Sequence, residues 1–183
     1  MSTIGQRSDG NLLETNAMQD WESWNDETLV SACFAPLIRL YKQLSSGDGD
    51  VAGLYRQMSS GQQALFMFQT YYLHAMKSAE ELYWWSAYFM AQGERWAALK
   101  AKMRELGDSE FITLLQEVED YLRTREHPYE LSEFAAVSRE DLRSDKELCR
   151  FIESAYKRLQ QVSDGTIRRL ADWIRSAPHV FLT

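Results

Sequence analysis

Residues 74–90 read HAMKSAEELYWWSAYFM, a histidine, two adjacent glutamates and two serines set among aromatic and methionine side chains. Placed on a helix at 100° per residue, Leu82, Trp85 and Phe89 form one apolar stripe. Ala79, Tyr83 and Met90 widen it on one side, and Trp84 and Tyr88 on the other. Only Glu80 and Ala87 share a strip free of large side chains. A helix apolar nearly all round belongs at the centre of a bundle or beneath a partner. Ser78 and Glu81 have the spacing of a capping box, which predicts a helix from Ser78 to about Gln92, ended by Gly93. An unbroken helix from Gly61 to Gln92 would be about 48 Å long at 1.5 Å per residue. A compact domain of this size is only about 40 Å across, so a break near Ser78 is expected.

The flanking sequence has the same period. Asp26 can cap a helix through Leu29, Val30, Cys33, Phe34, Leu37 and Leu44, kinked at Pro36 and ended by SSGDGD at 45–50. After a short helical turn near Val51 to Tyr55, Ser59 or Ser60 opens the helix that leads to the quoted stretch. Trp96, Leu99 and Met103 mark a further helix with Gly107 as its C′ residue. Asp108 or Ser109 caps another through Phe111, Leu115, Val118 and Leu122. Residues 124–137, with His127-Pro128, read as a loop. Ser144 and Glu147 suggest a second capping box before Leu148, Ile152, Ala155 and Leu159, and a separate last helix runs from about Thr166 to Ser176, stopped by Pro178. Nothing alternates with the period of two that a half-buried strand would show. The expectation is an all-α chain: one globular domain over 21–183, with six or seven helices around the aromatic-rich one, preceded by an arm at 1–20 that is loose or docks on a neighbouring subunit.

Composition sets the broad class. The chain has 183 residues, 45% hydrophobic and 26% charged, enough to bury a core without a metal or disulfide. Cys33 and Cys149, 116 positions apart in apolar helical patterns, read as buried thiols in a reducing compartment. No apolar leader starts the sequence, and no apolar run approaches the roughly 20 residues that span a bilayer, so a cytoplasmic location with no membrane partner is expected. The formal charge of −7 is uneven: Glu105 to Glu153 holds 14 acidic and 6 basic residues, a net −8. That balance argues against direct nucleic-acid binding, which needs clustered Lys and Arg.

Two candidate sites follow. In the first, Tyr72, His74, Glu81, Trp84, Trp85 and Tyr88 line an aromatic pocket. A carboxylate desolvated by rings has its pKa raised, and His74, on the line of Glu81 if the helix continues backward, could share the proton. The competing reading is structural: Glu81 closes the capping box, pairs with Lys77 or accepts a tyrosine hydroxyl. The second candidate is an acidic surface carrying Glu117, Glu119, Asp120, Glu126, Glu130 and Glu133, set to meet a basic partner or to be an ordinary solvated helix face. No metal or cofactor is expected, since His74, His127 and His179 lack helical ligand spacing and neither a nucleophile elbow nor a phosphate loop is present. The missing enzyme motifs and the surplus of Trp and Tyr, residues favoured at interfaces, point to protein binding or self-association.

Residues 59–106 carry a partial family likeness. Ser60-Gly61-Gln62-x-Ala64-Leu65 opening a helix, followed by an acidic residue, an aromatic cluster and Tyr88-Phe89, resembles the helical family that contains bacterial DNA-mimic proteins. That family's Asn-Gly-Gly-Phe turn is replaced here by Leu82-Tyr83-Trp84-Trp85, and its Gln-Tyr-Phe by Ala87-Tyr88-Phe89. The resemblance implies an all-α fold. The family's acidic surfaces that bind DNA-binding proteins are not implied for this less acidic chain.

Overall fold

The computed structural model describes residues 21–47 and 49–182; the 1–20 arm lies outside the described residues. All the regular elements among them are helical: α1 (Asp26–Ser45), α2 (Val51–Gln57), α3 (Ser60–Ala75), α4 (Ala79–Ala91), α5 (Gly93–Glu105), α6 (Ser109–Thr124), the single turn α7 (Asp141–Ser144) and α8 (Lys146–Ser176). Short 3-10 turns lie at Trp21–Ser23, Phe134–Ala136 and Pro178–Val180. No described helix is long and apolar enough to cross a membrane.

The expected break at Ser78 is present. Helix α3 closes with the Met76 amide on the Tyr72 carbonyl, and Ser78, fully extended at φ −167°, then caps α4 by accepting from the Glu81 amide at 3.2 Å. The reciprocal half of a capping box forms one helix earlier, at Ser59 and Gln62. Gln92 is the joint between α4 and α5. Gly107, at φ +72°, takes the C′ position where a side chain would be strained.

Helices α3 and α4 share the centre. Ten of the sixteen residues of α3 are buried, including Leu65, Phe68 and Tyr71, against α1, α4 and α5. Tyr71 meets Phe89, Trp96 and Phe111 edge-on and hydrogen-bonds Ser86 at 2.7 Å, so its phenol is satisfied inside the core. The longest helices, α1 and α8, pack against each other, tied at one end by Arg175 to Asp26 at 2.8 Å. Each fully buried Phe or Leu in this cluster contributes about 1.5–3 kcal/mol of transfer free energy.

Three local expectations are corrected. The two C-terminal helices are one: α8 runs 31 residues straight through Gly165, because Leu159, Ser163, Thr166, Ile167 and Leu170 continue one buried face across it. Its cap is Asp145, which accepts from both the Glu147 and Leu148 amides, and not Ser144, which ends α7. At the other end, Asn25 caps α1, freeing Asp26 for Arg175. With α2 and α7 as helices in their own right, the described residues form eight. Cys33 is buried and its thiol pushed up to about 11 by burial, whereas Cys149 is half exposed beside Glu153; neither is in a disulfide.

Candidate functional site

The break at Ser78 folds the end of α3 back against α4 and brings His74 over Trp85. Their rings stack at 3.8 Å and 19°. Trp85 Nε1 donates to Glu81 at 2.9 Å, so the two titratable groups touch the same indole but share no hydrogen bond. Glu81 is instead clamped by Arg139, whose Nε and Nη2 donate to its two carboxylate oxygens at 2.6 and 3.0 Å. The Arg139 guanidinium lies 4.4 Å from the Trp84 ring centre. Its hydrogen bond, against the opposing effect of burial, holds the Glu81 carboxyl below its ordinary range. The expected rise in pKa is therefore reversed, and an ionised, bidentate-paired carboxylate replaces a candidate general acid. Burial, with Lys77 and Lys42, keeps the His74 imidazole below its ordinary value, and Glu81 only partly opposes them.

The remaining aromatic residues form a continuous face. Trp84 stacks on Tyr88 at 5.1 Å, and Phe134, from the segment between α6 and α7, packs on both at 5.1 and 5.2 Å. That segment crosses α4 as a strap: Glu130 bridges to Gln92, Phe134 sits on Trp84 and Tyr88, and Arg139 reaches Glu81. Trp84, Trp85 and Tyr88 stay half exposed under it; on the strap itself Tyr129 and Leu131 are 46% and 52% exposed, and Leu73, next to His74 on α3, is 47% exposed. Tyr72 is not in this group. It stacks on Phe68 at 5.0 Å on the side of α3 facing α1 and α8, where burial, Glu27 and Asp164 raise its phenol pKa.

Farther along the strap, the Tyr83 hydroxyl donates to Asp141 at 2.8 Å and meets His127 Nε2 at 2.8 Å. Asp141 also accepts from the Ser138 amide at 2.9 Å. With the phenol proton directed to Asp141, the bond from His127 must be Nε2–H donating to the Tyr83 oxygen. An open cleft of about 440 Å³ beside this group is lined by Arg125, His127, Val137, Asp141 and Leu148. Burial, then Asp141, drives the Tyr83 phenol far above its ordinary value, so its proton stays and the triad acts as a latch. Arg139, Phe134, Tyr83 and Asp141 were not among the candidates. Strap residues carry no helical period, and the only local hint was His127-Pro128.

The acidic candidates separate. Glu119 is buried, not on a surface: burial raises its carboxyl, but Lys100, Trp96 and Arg123 together hold it below its ordinary range. Glu117 is exposed and paired with Arg158. Asp120 is exposed and accepts from Gln116. Glu126, Glu130 and Glu133 are exposed on the strap, with no ion pair among the described residues. No protein-family model, curated protein or solved structure matches this chain.

Proposed function

We propose that this chain is a protein-binding module whose docking surface is the aromatic face of α4 together with the strap that crosses it. The observation that carries the reading is the half-exposed Trp84, Trp85 and Tyr88 beneath a strap that itself exposes Tyr129 and Leu131. Large apolar side chains gathered in one place mark interaction surfaces, whereas scattered ones do not. Glu126, Glu130 and Glu133 give this surface an acidic border, which suits an apolar partner segment flanked by basic residues. The acidic surface contributes as a border only, since Glu117 and Glu119 are engaged by Arg158, Lys100 and Arg123. Self-association is one form of the same reading.

The test is a photo-crosslinking residue at Leu131 in the full chain, combined with sedimentation analysis of the purified protein. The expected result is a discrete adduct, with another protein or a second copy, that is lost on Trp84→Ala and weakened by salt. A monomer at high concentration that yields no Trp84-dependent adduct overturns the proposal.

A further inference from the structure

A second opening lies away from the aromatic face, where α2 leans over α1, α3 and α5. It encloses about 500 Å³, and its walls are Tyr41, Leu54, Tyr55, Met58, Phe66 and Met67. Met58, Phe66 and Met67 are buried core residues that form its floor. Tyr41 and Tyr55 flank Phe66, with ring centres 5.3 and 6.5 Å away. Arg95, in the first turn of α5, reaches into this apolar setting. Its Nη2 donates to the Tyr41 hydroxyl at 2.8 Å, and its guanidinium lies 5.9 Å from the Tyr41 ring centre and 6.0 Å from that of Phe89. Among the described residues it has no carboxylate partner. The neighbouring charges are otherwise accounted for: Arg56 pairs with Asp50 at 3.3 Å, and Glu94 is exposed on the rim.

A guanidinium has five donors in a fork that fits a carboxylate, and here a neutral hydroxyl and two ring faces are its partners. A partly dehydrated cation at the edge of an apolar cavity is most stabilised by an anion that brings its own apolar body. Sites of a few hundred Å³ with apolar walls and one placed charge have the usual composition of small-ligand pockets. We propose that this cavity binds a small amphipathic carboxylate, its head on Arg95 and its apolar chain on Phe66, Met67 and Met58. The site is separate from the α4 face and does not depend on it.

The probe is decanoate, kept below its micelle-forming concentration, with 1-decanol as the uncharged chain of equal length. The full protein carries 13C-methyl methionine. The expected result is a saturable movement of the Met58 and Met67 methyl signals with decanoate, while Met103, buried in the core at 0% exposure, stays in place. Decanol should bind about ten-fold or more weakly, the loss expected for one charge-assisted contact. Arg95→Gln should bring decanoate down to the decanol level, Arg95→Lys should retain most of the difference, and Glu94→Gln should tighten decanoate. Equal binding of decanoate and decanol, or no response at Met58 and Met67, overturns the assignment. That comparison uses the unaltered chain, so it decides even if the Arg95 variants do not fold.

Discussion

Trp85 holds His74 against its face and Glu81 through its ring nitrogen, and Arg139 completes the group from the strap. Arg139→Ala removes a half-exposed ion pair and a cation–π contact. Each contributes about 0.5–1 kcal/mol, so a loss of roughly 1 kcal/mol is expected by urea titration, with a red shift of tryptophan emission as Trp84 gains water. Tyr83→Phe removes the hydroxyl that joins His127 to Asp141. The groups left behind are half buried, and about 1–3 kcal/mol should be lost. His127 titrates with a known sign. Burial, assisted by Arg125, lowers its pKa in the folded chain, against the Leu122 and Arg125 carbonyls and Asp141. Its contribution is therefore fully present above the unfolded value near 6.5 and is lost as pH falls from there through the folded value. His74 has the same sign. Stability measured between pH 7 and pH 5 should decline, and His74→Gln and His127→Gln should each flatten part of that slope.

At the scale of elements, two glycines in helices have opposite roles. A Cβ on Gly61 would lie 2.7 Å from Phe181 Cζ and from Val180 Cγ1, so the start of α3 is bare because the C-terminal turn packs onto it. Gln62 Nε2 donates to the Phe181 carbonyl at 3.3 Å in the same place. Gly61→Ala should lower the melting temperature, and Phe181→Ala in that background should cost less than it does alone. Gly165 sits inside α8, where an added Cβ meets only the end of the Arg169 side chain at 3.1 Å. Gly165→Ala should stabilise by about 0.5–1 kcal/mol, because alanine restricts the unfolded chain and favours the helix. If α8 were two helices joined at Gly165, the same change would destabilise, so thermal unfolding separates the two architectures.

Over the whole molecule, one buried cluster joins α1, α3, α4, α5, α6, α7 and α8, and no described segment has a core of its own. A single cooperative unfolding transition is expected, with equal calorimetric and van't Hoff enthalpies. The helical class, the break at Ser78, the Gly107 stop and the burial of α4 were legible in the sequence, since each depends on spacing along the chain and on local caps. Even the continuity of α8 had a signal, in an apolar face that runs unbroken across Gly165. The side-chain partners were not legible. Glu81 and Arg139 are 58 positions apart, as are Tyr83 and Asp141, and no local pattern relates them. Glu119 occupies an outward-looking place on its own helix and is buried only because α5 brings Lys100 and Trp96 against it. Most helices and their apolar faces follow from the sequence, because hydrogen bonds and side-chain periodicity within a helix are local. Tertiary structure alone decided which charges are paired, which rings stay half exposed and where the cavities lie, because those depend on how separate elements meet.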